Sequence, residues 1–170
     1  NLSARLSDDR FTVTSSGRHL GELEPSHFLV VNAQGERVEG DGRPSAETAL
    51  HLQVYAMDPT ARAVVHTHSP RATMLSHDAD CLHFEGLEIL KAFPSIETHD
   101  CHVQLPVVPN SQDMAQICSA LQQHEFAIPG FLISGHGLYT WGDSVQSARV
   151  HAEAFEFLFQ CHMLRSSQPD

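Results

Sequence analysis

The stretch Ala63–Ser76, AVVHTHSPRATMLS, places His66 and His68 one residue apart at the end of a short apolar run. On an extended strand, residues i and i+2 point to the same face, so both imidazoles can reach one point. That is a bidentate chelate for a metal bound through ring nitrogens. The plainer reading is two histidines at a strand end, hydrogen-bonded to backbone carbonyls. A third imidazole, His136, follows the apolar run FLIS and lies between Gly135 and Gly137, whose missing side chains permit close backbone approach and unusual dihedrals. Three histidines leave a fourth position open to water or substrate, the pattern of catalytic rather than structural zinc sites.

Other pieces could handle an anion or a proton. In RPSAE (Arg43–Glu47), Ser45 at an expected helix start presents a hydroxyl beside free backbone N–H groups. Glu47 would fall in the first turn, where its simplest role is to favour the helix dipole. The small-residue loop TSSG (Thr14–Gly17) could wrap an anion or be an ordinary turn. In FEGLEILKAF, Glu88 and Lys91 are isolated charges among apolar residues. They form either an exposed i,i+3 ion pair or a carboxylate whose pKa rises in an apolar setting and serves as acid and base.

The elements that must position these groups follow from pattern. The chain opens at Asn1 in what looks like a loop, NLSARL, and a segment before it is expected to be missing. FTVTSSG predicts a strand running into a turn, and HFLVVNAQGERVEG predicts two short strands around Asn32–Gly35. A helix from Ser45 to Met57 is expected, N-capped by Ser45, with Ala49, Leu52 and Ala56 apolar. RAVVHTHS is a strand, Pro70 fits the first turn of the next helix, LHFEG is a strand and LEILKAF a short helical piece. HVQLPVVP is extended, SQDMAQICSALQQHEF is helical and capped by Ser111, and GFLISGHGLYTWG is strand, glycine turn, strand. The last helix runs from about Asp143 to Leu164 with a stripe through Val145, Ala148, Ala152, Phe155 and Phe159. Interleaved strands and helices place the chain in the α/β or α+β range.

At 170 residues and 41% apolar content the chain has the size of one domain with a real core. No repeat, low-complexity tract, signal peptide or membrane-spanning run is apparent. A formal net charge of −11 argues against nucleic acid and anionic membranes as partners, so an anionic substrate must be held by local devices. Cys81, Cys101, Cys118 and Cys161 are scattered, as expected of reduced structural thiols in a cytoplasmic protein.

Taken in order, NLSAR, TSSG, RPSAE, HTHS and GHGLYTWG resemble the class II aldolase/adducin family along essentially the whole chain. HTHS…ATMLS, FEGLEILKAF and GHGLYTWG…HAEAFEFLF are similar to the branch that dehydrates methylthioribulose 1-phosphate in methionine salvage. The family's sugar-phosphate aldolases are similar at the metal but usually lack Tyr-x-Trp-Gly after the third histidine. The resemblance implies a three-layer α/β/α sandwich around a mostly antiparallel sheet, one domain over residues 1–170, and a homotetramer with sites near subunit interfaces. It implies one Zn2+ per subunit on His66, His68 and His136, and a sugar-phosphate substrate held by Asn1, Ser15, Ser16, Gly17 and Ser45. Glu88 matches the acid/base of the dehydratases and Glu47 that of the aldolases. Where the aldolases read Pro-Ser-Ser-Glu, this chain has Pro44-Ser45-Ala46-Glu47, so one hydroxyl is absent. The alternatives are a zinc aldolase of the fuculose/rhamnulose 1-phosphate type and, more remotely, a non-catalytic adducin-like interaction module, which would be expected to lack the three histidines.

Overall fold

The structure, a computed structural model, describes residues 1–17 and 20–166. The described residues form nine strands: β1 (Leu2–Arg5), β2 (Arg10–Thr14), β3 (Phe28–Asn32), β4 (Arg37–Glu39), β5 (Ala63–Thr67), β6 (Cys81–Glu85), β7 (His102–Val108), β8 (Gly130–Ile133) and β9 (Gly137–Gly142), with apolar alternation clearest in β2, β3 and β6. They form one sheet in the order β4-β3-β2-β1-β5-β9-β8-β7-β6. Every neighbouring pair is antiparallel except β7 and β8.

Four α-helices cover the sheet: α1 (Thr48–Met57), α2 (Pro70–Ser76), α3 (Met114–Leu121) and α4 (Val145–Ser166). Leu50 and Val54 of α1 and Ile117 and Leu121 of α3 pack with Val64, Phe131, Ile133, Tyr139 and Trp141 on one face. Ala72 of α2 and Ala154, Phe155, Leu158 and Phe159 of α4 pack with Leu132, Leu138 and Leu105 on the other. The architecture is therefore the expected three-layer α/β/α sandwich. All four residues of β8 and all six of β9 are buried, because these strands are covered on both sides.

Several local expectations are corrected. NLSARL is not a loop: β1 is an inner strand between β2 and β5. Its polar character hid it, and those side chains find partners inside. The Ser3 hydroxyl lies 2.8 Å from both His51 and Tyr55, and the Arg5 guanidinium stacks over the Phe11 and Tyr55 rings. Helix α1 begins three residues later than Ser45, with Glu47 at its N-cap and no side-chain cap, because Glu47 points elsewhere. Its buried face is Thr48, Leu50, His51, Val54 and Tyr55, while Ala49 and Ala56 are exposed and Leu52 is half-buried. Helix α3 is capped by Asp113, which accepts the Ala115 N–H at 3.0 Å. Ser111 instead accepts the Asp113 N–H and donates to Gln116. This helix ends at Leu121 rather than Phe126, and LEILKAF forms a 3-10 turn over Glu88–Ala92. In α4, Ala148, Phe155 and Phe159 are buried as expected, but Val145 is exposed and Ala152 half-buried.

Phe155 ties α4 to the sheet. A Cβ at Gly130 of β8 would meet its ring at 2.5 Å, so the glycine is what admits it. Phe155→Ala should therefore cost about 3–5 kcal/mol, read as a lower urea midpoint at unchanged m-value.

Candidate metal centre

β5 lies between β1 and β9, and its register sets the site. His66 is opposite Tyr139 of β9, and its backbone exchanges hydrogen bonds with Asn1 across the β1 edge at 2.9 and 3.0 Å. The period-2 pleat directs Val64 and His66 to the α1 face, and His68, just past the strand, follows. The His66 ring is 1% exposed and stacks on Tyr139 at 4.1 Å, which stacks on Phe131 at 4.9 Å. His66 Nδ1 donates to the Leu138 carbonyl at 2.8 Å, which fixes the tautomer and leaves Nε2 bearing a lone pair.

His136 arrives on the β8–β9 turn, closed by its own N–H to the Ile133 carbonyl at 3.0 Å with Gly135 at φ +61°. A Cβ at Gly137 would lie 2.2 Å from the Thr67 carbonyl oxygen, so only glycine lets the turn approach β5. Helix α2, N-capped by Ser69, holds the turn from behind: Thr73 donates to the His136 carbonyl at 2.9 Å, and Ser76 accepts the Gly135 N–H at 3.1 Å.

The result is convergence. His66 Nε2 and His136 Nε2 lie 2.6 and 3.0 Å from His68 Nε2, and Glu47 Oε1 lies 3.4 and 3.2 Å from the His66 and His136 nitrogens. These four donors all fall within 4.8 Å of one another, the one such group among the described residues. Nitrogens this close repel unless a proton or cation lies among them, and three imidazoles with a carboxylate are a donor set for a divalent metal. Burial first, and then a neighbouring imidazole, lower the pKa values of His68 and His136, favouring the neutral, ligating form. His68 is exposed and His136 partly so, so one side of the group opens to solvent.

Glu47, expected either at the helix dipole or as an acid/base, has its carboxylate in this group. Burial opposes its ionisation. Hydrogen bonding and charge from His66, the Asn1 amide and the His136 charge outweigh burial and hold its pKa at about 2. Asn1 Nδ2 donates to Glu47 Oε2 at 2.6 Å and to Ser45 Oγ at 3.4 Å, which draws two expected anion-binding residues beside the metal group. Ser15 bridges to Pro44, so TSSG and RPSAE are adjacent. The Ser15 and Ser16 N–H groups donate to the His27 and Arg43 carbonyls at 2.9 Å, and the Ser16 side chain and Gly17 are exposed. Glu88 stands outside the group in its own chain. It is fully exposed, pairs with Lys91 at 2.9 Å and His99 at 3.5 Å, and its pKa is lowered by the Lys91 hydrogen bond.

Pattern reading missed His51, Ser3, Tyr55 and Tyr139. Two of them had a signal: Glu47, His51 and Tyr55 are four residues apart, one stripe of a helix. His51 is 2% exposed and contacts Asn1 and Ser3. Burial above all, with the His66 charge, holds its pKa down to about 3 from 6.5. The unfolded chain therefore takes up a proton that the folded chain refuses, so this stabilisation is complete above pH 6.5 and fades toward pH 3. The stability of the wild type relative to His51→Gln should rise across that window by up to about 1.4 kcal/mol per pH unit, measured by urea unfolding. Parallel profiles would show that His51 titrates alike in both states.

Comparisons with known proteins bear on the family and the fold. Residues 1–163 match the class II aldolase and adducin N-terminal domain. A methylthioribulose-1-phosphate dehydratase of Pseudomonas syringae pv. syringae (strain B728a) is 45% identical over 168 residues, covering 96% of this chain and 82% of the relative. Among solved structures, YgbL of Klebsiella pneumoniae is 29% identical with a TM-score of 0.80 over 99% of this chain and 79% of that one. The L-fuculose-1-phosphate aldolase of Thermus thermophilus, 24% identical with a TM-score of 0.76 over 99% and 85%, shares the fold. Three convergent histidines on a nine-stranded α/β/α sandwich, matched along nearly the whole length, place the chain in the class II aldolase and adducin family.

Proposed function

We propose that the chain is a zinc-dependent hydro-lyase that converts 5-methylthioribulose 1-phosphate to 2,3-diketo-5-methylthiopentyl 1-phosphate in methionine salvage. The observation that carries this is the convergence of His66, His68, His136 and Glu47 beside Asn1 and Ser45, in a chain 45% identical to a methylthioribulose-1-phosphate dehydratase. The intact donor set argues against a non-catalytic module. His66, His68 and His136 would hold the ion through Nε2, and imidazole donors suit zinc. A divalent ion there supplies Lewis acidity for the C2 carbonyl, which acidifies the C3 proton.

The chain's own residues supply the rest. The Asn1 and Ser45 side chains, with the Ser15–Gly17 loop, orient the phosphate by hydrogen bonds, which a chain of net charge −11 needs in place of a positive field. Glu47, held ionised, anchors the imidazole cluster and Asn1. Its two carboxylate oxygens are already engaged by Asn1, His66 and His136, which leaves it poorly placed to carry a proton to and from substrate. We assign the proton transfer to Glu88, delivered by a neighbouring copy in a homotetramer, where burial would raise its pKa. Its carboxylate takes the C3 proton and returns it to the C4 hydroxyl. The C4–O bond breaks, water leaves, and the enol ketonises to the diketone.

This reading takes residues 1–170 as one domain. All four cysteines are free thiols, which supports a cytoplasmic setting. No helix among the described residues is long and apolar enough to cross a membrane.

The test is turnover of methylthioribulose 1-phosphate by zinc-loaded protein, followed as diketone formation. A triose phosphate released from fuculose or rhamnulose 1-phosphate instead would mean aldol cleavage of C3–C4. Glu88→Gln should lower kcat by on the order of 10²–10⁴-fold at unchanged zinc content, whereas Glu47→Gln should lose zinc as well. Full dehydratase activity in Glu88→Gln would pass the proton transfer to Glu47.

A further inference from the structure

A buried polar chain runs from the core to the metal group, and no step above uses its inner members. Tyr55 Oη lies 2.8 Å from Ser3 Oγ, and Ser3 Oγ lies 2.8 Å from His51 Nδ1. His51 Nε2 contacts Asn1 Oδ1, and Asn1 Nδ2 reaches Glu47 Oε2 at 2.6 Å. Ser3, His51 and Tyr55 are 1%, 2% and 4% exposed, so water does not complete these contacts.

The direction of every link follows from the last one. An ionised carboxylate only accepts, so the Asn1 contact must be its Nδ2–H donating. That orients the amide with Oδ1 toward His51, and a carbonyl oxygen also only accepts, so His51 carries its proton on Nε2. A neutral ring then has a bare Nδ1, which accepts a hydrogen bond from the Ser3 hydroxyl. The Ser3 oxygen in turn accepts from Tyr55. Reversing any link leaves two acceptors or two donors facing each other in a dry interior, at the cost of an unsatisfied buried group.

We infer that His51 is a positioning residue: its Nε2–H locks the Asn1 amide, and the locked amide holds Glu47 with Oε1 turned toward His66 and His136. Without that N–H, the Asn1 amide is free to flip, and its oxygen would face the Glu47 carboxylate. Asn1 also contacts Ser45, so one histidine sets both the carboxylate and the anion-binding side of the site. The inference rests on the proposed role of Glu47 in the working site.

Two variants separate position from packing. His51→Gln places an amide N–H near the Nε2 position and keeps the Asn1 link. His51→Asn reaches only the Nδ1 position, keeping Ser3 and losing Asn1. With urea midpoints of the two variants alike and metal content equal to wild type, His51→Gln should retain kcat within a few-fold. His51→Asn should lose about 10–100-fold in kcat, a typical loss for an outer-shell partner, at little change in KM. Equal kcat in the two variants overturns the inference. A substrate-free readout stands beside it: proton–nitrogen correlation spectra of the full-length protein should show His51 as the neutral Nε2–H tautomer at neutral pH. The Asn1 amide protons should be protected in the wild type and His51→Gln, and lost to exchange in His51→Asn. An Nδ1–H or charged His51, or an Asn1 amide unaltered in His51→Asn, overturns the inference. Wild-type protein inactive on methylthioribulose 1-phosphate would defeat the functional proposal, while these spectra would still decide the role of His51.

Discussion

The register of β5 between β1 and β9 is the constraint on which the site depends. His66 is paired with Tyr139 on one side and with Asn1 on the other. Side chains alternate along a strand, so a slip of one residue would turn His66 and His68 to the α4 face and present Val65 and Thr67 to α1. The register is protected by burial on both faces: Val64 lies in the α1–α3 core, and the neighbouring Leu138 and Leu132 lie in the α4 core. The hydrophobic effect thus fixes the geometry of groups that are not themselves hydrophobic.

The site has a rigid, dry side and an open side. His66 is clamped by a carbonyl hydrogen bond and a stack of rings reaching through Tyr139 to Phe131. His68 and His136 hang at strand ends, where the backbone leaves the ladder and solvent reaches the nitrogens. Their attachment is still not loose. Helix α2 follows His68 directly, through the Ser69 cap, and its Thr73 and Ser76 hydroxyls hold the His136 turn. One short helix therefore ties together two histidines that are far apart in sequence. An open coordination side backed by fixed donors is what a substrate-binding metal requires.

Behind the histidine–glutamate group, the polar residues of β1 and α1 perform a task that an apolar core could not. Asn1, Ser3, His51 and Tyr55 are mutually satisfied through hydrogen bonds whose directions depend on one another. Such a network is costly to break and specifies one arrangement, so it suits the place where a carboxylate must be held within reach of three imidazoles. It also explains why α1 starts at Thr48. The Glu47 side chain, a candidate for the helix start by type, turns instead toward Asn1 and the histidines, while the Ser45 hydroxyl accepts both the Glu47 N–H and the Asn1 amide.

Local rules acting on local residues made much of this legible in the chain itself. The apolar alternation of β2, β3 and β5, the glycine-braced turn around His136, and the i, i+2 geometry of His66 and His68 need no distant partner to be recognised. The three imidazoles were accordingly readable as a metal triad, and the ordered set of short stretches pointed to the family. Tertiary contact decided the rest. β1 looked like a loop because its strand character lies in pairing with β2 and β5, and its polar side chains find their partners in α1, the Ala61 carbonyl and the Phe11 ring. The α1 face turned inward by His51 and Tyr55 rather than Ala49 and Ala56, because a hydrogen-bonded histidine can be buried where hydropathy predicts exposure. Glu47 and Glu88 were equally plausible carboxylates in sequence. Only the fold puts Glu47 within 3.4 Å of two of the imidazole nitrogens and leaves Glu88 to Lys91, His99 and solvent, since a distance across the sheet is set by strand order and not by spacing along the chain.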